Sequence, residues 1–143
     1  MTSPELDNLV RVGQLKAEPP TPGEVAGLRR SGEARLVDAQ NAALALESRF
    51  DLAYNAAHAL SLAALRRLGY RATNRYVVFQ ALPHTLGLPA ATWRVLALCH
   101  ETRNRAEYEG LLEIHERLVV DLVDATRAVR EALRAVTPGD LSP

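Results

Sequence analysis

Cysteine is nearly absent from this chain: Cys99 stands alone among 143 residues, which excludes an intrachain disulfide and a cysteine-based zinc cluster and suits a reducing compartment. Net charge is absent too, because seventeen basic and seventeen acidic residues cancel. No hydrophobic run is long enough to span a bilayer: 52–65 contains Asn55 and His58, and 76–93 is broken by Pro83, Gly87 and Pro89. The first residues, Met1 to Asp7, have neither a basic nor an apolar signal region, so a cytoplasmic location is expected. There is no glycine-rich phosphate loop, no nucleophile elbow, no repeat of 20 to 50 residues and no low-complexity tract.

What remains is a composition of 48% hydrophobic and 24% charged residues. That mixture fits one globular domain, able to hide about 70% of its unfolded surface on folding. Charge is unevenly placed. Between Arg66 and Arg105 lie seven arginines, including Arg71, Arg75, Arg94 and Arg103, against Glu101 alone. This is a candidate phosphate-facing patch. Biased base composition in the gene would also produce an arginine-, alanine- and leucine-rich chain, and the two readings stand side by side.

The pattern along the chain is helical throughout. Ser3-Pro4-Glu5 supplies a cap, a first-turn proline and an acid, so a short leading helix with Leu6, Leu9 and Val10 on one side is expected. Residues 16–21, with Pro19 and Pro20, read as a linker, and Thr21 to Glu24 as a capping box that opens the main body. Helical pattern then reaches about Leu46 with a break or kink at Ser31-Gly32, and Ser48 to Asp51 reads as the next corner. From Leu52 to Leu68 apolar positions recur every four residues, which predicts a central helix ended by Gly69, with Arg66 and Arg67 at its negative pole.

A further helix is predicted from Asn74, carrying Val78, Phe79 and Leu82 inward until Pro83, and another from Pro89 to about Tyr108. Leu111, Leu118, Leu122, Ala125, Val129, Leu133 and Val136 form the seam of the last helix, with Glu113 and Arg117 outward, before Pro138-Gly139. No segment shows strand-like alternation. The expected fold is all-α, an antiparallel bundle of about five helices: 1–20 leading helix and linker, 21–137 bundle, 138–143 tail.

The chemistry-bearing stretch is Arg103-Asn104-Arg105-Ala106-Glu107-Tyr108, where two guanidiniums, an amide, a carboxylate and a phenol meet at one helix end. Together with Phe50-Asp51-Leu52-Ala53-Tyr54 ahead of an alanine-rich helix, it resembles the HEPN family (higher eukaryotes and prokaryotes nucleotide-binding) over about Ser31 to Leu133. The resemblance implies a helical bundle that dimerises about a two-fold axis. It also implies a role in a toxin–antitoxin or defence module, as a metal-independent endoribonuclease or as a non-catalytic partner of a minimal nucleotidyltransferase. Arg103 and Asn104 match the first half of the family's active motif. Tyr108 stands where its histidine would be, so the chain is similar to the variant lacking that histidine.

Metal-free RNA cleavage needs a base, an acid and a cation for the charge growing on phosphorus. Arg103 is the candidate cation, since its planar fork matches two phosphate oxygens. His100 lies three and four residues before Arg103 and Asn104 and shares their helix face, which makes it the candidate proton carrier. Tyr108, Arg105, Glu107 and Arg75 are the candidate substrate-binding residues, with Tyr108 able to stack on a base. The expected partners are RNA or a nucleotide, a second copy of the chain and a nucleotidyltransferase-type protein, with no cofactor, metal or membrane.

Each of these residues also has a plain structural reading. Arg103 with Glu107 and Glu101 with Arg105 are i,i+4 pairs that suit a solvated face. His115 reads as a hydrogen-bonded core histidine, His58 with Tyr54 as interhelical packing, and Trp93 as a core anchor. A plain protein-interaction bundle is therefore a third class of function. Histidines at 58, 84, 100 and 115 have no paired metal-ligand spacing.

Overall fold

The computed structural model describes residues 3–110 and 114–137, the side chains of Tyr108 and Glu109 excepted. The predicted Leu111, the Glu113 pair, the Pro138-Gly139 stop and the 138–143 tail lie outside the described residues. The chain is mostly helical: α1 (Pro4–Arg11), α2 (Glu24–Ala39), α3 (Leu46–Arg67), α4 (Arg75–Gln80), α5 (Leu82–Thr85), α6 (Ala90–Glu109) and α7 (Glu116–Val136). A two-stranded antiparallel sheet joins β1 (Leu15–Ala17) to β2 (Tyr70–Ala72). The strands are three residues each, too short for alternation to register in the sequence, and β1 occupies part of the stretch expected to be linker.

Local capping chemistry explains most boundaries. Ser3 accepts from the Leu6 amide and Asn74 from the Val77 amide, each satisfying an orphan N–H at a helix start. Pro89 precedes α6, and Gly69 and Gly110, with φ of 87° and 68°, follow α3 and α6. Pro83 sits in the first turn of α5, just beyond the end of α4.

Four expectations need correction. Gly32 does not break α2; it is a buried residue within an unbroken helix at the crossing with α3. The corner lies at 40–45, not at Ser48 to Asp51, because the Arg49 side chain reaches back to cap Ala39 O at 2.9 Å while α3 is already under way. His115 is exposed rather than in the core, and its Nδ1 accepts from the Leu118 amide as the N-cap of α7. Val136 is also exposed, unlike Leu118, Leu122, Ala125, Val129 and Leu133 of the same seam.

Glu24 at the start of α2 meets Arg66 at the end of α3, and Glu33 and Gln40 meet Arg134 and Arg127 of α7, so α2 runs against both. Residues 91–95 of α6 and 121–128 of α7 line the two sides of one groove. α3 is central, burying Phe50, Ala53, Tyr54, Ala56, Ala57, Leu60, Ala63 and Ala64. Its alanines let neighbouring helices approach closely.

A second, smaller core forms where the leading segment folds back. Leu6 of α1 and Leu15 of β1 pack on Leu65, Tyr70, Val77, Val78 and Ala81, while Tyr70 donates to Asp7 Oδ1 at 3.0 Å. α4 therefore lies between two cores, with Val77 and Val78 toward the leading segment and Phe79 toward the bundle.

Arg66 ties the leading segment down. Its side chain is fully buried, and its five N–H donors meet Glu24 Oε2 and Oε1, the carbonyls of Glu18, Pro19 and Tyr70 at 2.8–3.2 Å. Arg71 joins the same carboxylates, Glu18 and Glu24. Two of the arginines in the sequence-level basic patch are thus neutralised in a structural network. No helix among the described residues is long and apolar enough to cross a membrane.

Candidate functional site

Three helices deliver polar and aromatic side chains to one place. Tyr54 comes from α3, Arg75, Tyr76 and Phe79 from α4, and Trp93, His100, Arg103 and Asn104 from α6. On α6, the spacing from 100 to 103 and 104 puts the last three on one face.

His100 is held at both ring nitrogens. The amide nitrogen of Asn104 donates to Nε2 at 3.2 Å, which assigns the ring proton to Nδ1, and Nδ1–H donates to the Tyr54 oxygen at 2.9 Å. Burial, followed by the charges of Arg75 and Arg103, holds the imidazole below its ordinary pKa and therefore uncharged at neutral pH. His58, one turn from Tyr54 on α3, meets Phe79 edge-on and is lowered by burial to about 4.

Two cations share the Tyr54 ring. The Arg103 guanidinium carbon lies 5.2 Å from the ring centroid and that of Arg75 5.9 Å, both within cation–π range. Arg103 also pairs with Glu107 at 3.2 Å, while no carboxylate among the described residues pairs with Arg75. Burial raises the Tyr54 pKa, opposed by a hydrogen bond from Arg75 and by both cations, so the phenol stays protonated.

At the rim, Tyr76 is 37% exposed, meets Trp93 edge-on at 6.2 Å and leans on His100 at the same distance. Trp93 is half-buried, packing on the core on one side and on this aromatic rim on the other.

Of the predicted site residues, the structure brings together His100, Arg103, Asn104 and Arg75, with Glu107 attached through Arg103. Arg105 is exposed and makes no ion pair with Glu101. The Tyr108 side chain lies outside the described residues. Sequence reasoning assigned Tyr54 to packing and passed over Tyr76. Only the four-residue step from Tyr54 to His58 hinted at a shared face, and nothing local links α3 to a histidine 46 residues later.

Other chemistry is less well supplied. The Cys99 thiol is buried and pushed up to about 12, so it offers no thiolate. No group of three His, Cys, Asp or Glu residues among the described residues could hold a metal ion. A groove between α6 and α7 is lined by Ala91, Thr92, Val95, Ala125 and Ala128 with Asp121 and Asp124, carboxylates that disfavour an anion. The Tyr54–His100 cluster is cationic and aromatic instead, a surface suited to phosphate and to a flat ring.

No protein-family model, curated protein or solved structure matches the chain.

Proposed function

We propose that the chain is a HEPN-like component of a toxin–antitoxin or defence module that binds RNA or a nucleotide through its phosphate. The binding surface is Arg75 and Arg103 over the Tyr54 ring, with Tyr76 as a stacking surface and a second copy of the chain closing the cleft. One observation carries this reading: two guanidiniums from different helices are held at one aromatic ring beside an uncharged imidazole. Both nitrogens of that imidazole are engaged by protein groups, so it serves to hold its neighbours in place, and binding without cleavage is favoured.

The test is binding of a fluorescein-labelled single-stranded RNA, followed by anisotropy across a salt series. Affinity falls steadily with salt, because phosphate contacts release counterions, and Arg103→Ala weakens it without altering helicity. Unchanged binding by a folded Arg103→Ala variant rejects the assignment. Light scattering gives a dimer; a 15.6 kDa monomer at every concentration removes the shared cleft.

Cleavage is the second reading, favoured by the placement of neutral His100 one turn from Arg103. It requires Asn104 to release Nε2. Cleavage of this kind survives EDTA, leaves a 2′,3′-cyclic phosphate and falls steeply in His100→Ala. A nucleotidyltransferase-type protein partner is tested by growth arrest on expression with and without the neighbouring gene.

A further inference from the structure

We infer that Tyr54 is the positioning residue of this site: its ring seats Arg75 and Arg103, and its hydroxyl holds the His100 imidazole in one orientation. The affinity arm of the test below rests on the phosphate-binding reading; the spectroscopic arm does not.

Tyr54 is only 1% exposed, so its effect on a ligand passes through the groups around it. Its own orientation is fixed from the bundle side, where Phe50 stacks at 6.4 Å and Phe79 meets it edge-on at 5.9 Å. Arg75 and Arg103 come from separate helices and repel one another, and both guanidiniums approach the electron-rich ring of Tyr54. The hydroxyl accepts the Nδ1 proton of His100, which leaves Nε2 to receive the Asn104 amide. A single side chain on the central helix thus sets the relative places of four groups on two other helices. An anion bridging the two guanidiniums meets a spacing already set, with less ordering left for the moment of binding.

Two variants separate ring from hydroxyl. In Tyr54→Phe the ring stays and the Nδ1 hold on His100 is lost, with the Asn104 bond to Nε2 left in place. The Nδ1 resonance of His100, read by NMR on the full-length ¹⁵N-labelled chain, moves as its proton loses its acceptor, while Asn104 keeps the tautomer. Affinity for the labelled single-stranded RNA falls by about threefold, the scale of one neutral hydrogen bond. In Tyr54→Leu the guanidiniums lose their common seat as well, and affinity falls by about tenfold or more.

His100 nitrogen shifts unchanged in Tyr54→Phe overturn the inference, as does wild-type affinity in a folded Tyr54→Leu variant that still needs Arg103. Should Tyr54→Leu fail to fold, Tyr54→Phe decides. Should the wild-type chain not bind RNA, the phosphate-binding reading falls, and the nitrogen shifts alone decide whether Tyr54 positions His100.

Discussion

Gly32 of α2 and Leu60 of α3 meet with no room for another atom between them: a Cβ at Gly32 would lie 2.6 Å from Leu60 Cγ, and 3.2 Å from the Ala56 carbonyl oxygen. Glycine in mid-helix costs about 1 kcal/mol relative to alanine, so intrinsic preference alone favours Gly32→Ala. Overpacking opposes it at about 1–3 kcal/mol, and part of the obstruction is backbone. Gly32→Ala therefore destabilises the fold while keeping its helix content. A urea midpoint that rises in the variant contradicts this.

Arg66→Met leaves Glu24 and the carbonyls of Glu18, Pro19 and Tyr70 without their shared donor. Breaking a buried ion pair by removing one partner costs about 3–5 kcal/mol, and this variant is expected in that range by chemical denaturation. A loss below about 1 kcal/mol would place Arg66 among ordinary surface arginines.

Acid weakens the fold in two stages. His58 is held at about 4 and His100 also below 6.5, so between 6.5 and about 4 the unfolded chain binds more protons and stability falls as pH falls. Glu24, lowered from 4.5 to about 2 by its hydrogen bond to Arg66, contributes stability that is present above 4.5 and lost toward pH 2. Melting temperatures measured from pH 7 downward show both declines. His58→Phe flattens the first and leaves the second, and an unchanged first decline in that variant removes His58 as its source.

Arg75→Ala and Arg103→Ala each weaken RNA binding at low salt, and the double variant loses no more than the stronger single one if both guanidiniums grip one phosphate. Fully additive losses in the anisotropy titration show separate contacts. Tyr76→Ala weakens binding by about 1–3 kcal/mol if a base stacks there.

Much of the helical layout was legible because it is written locally. Asn74, Pro89, Gly69 and Gly110 act on amides and carbonyls within one turn, and the α7 seam from Leu118 to Leu133 repeats at helical spacing. The site was half legible for the same reason: His100, Arg103 and Asn104 share a face of one helix. What escaped depends on partners far along the chain. Gly32 reads as a breaker until Leu60 is set against it, Arg66 as a dipole-facing cation until Glu24 arrives 42 residues away, and Tyr54 as packing until His100 does. β1 escaped because three residues carry no period.

The order in which the chain is made bears on α4. Asp7 bonds Tyr70 across 63 residues, and Leu15 pairs with Ala72, so the leading segment emerges long before anything it docks on. Contacts of such separation are rewarded only after a long loop has closed. During synthesis Leu6 and Leu15 lack their docking surface until Leu65 and Tyr70, and then Val77 and Val78, have been made, and α4 gains its back wall when they close on it. Arg75 and Tyr76 are carried on α4 and His100, Arg103 and Asn104 on α6, so the proposed phosphate-binding surface is completed only once α6 has been made, and a nascent chain ending before α6 carries only the Tyr54, Arg75 and Tyr76 part of it.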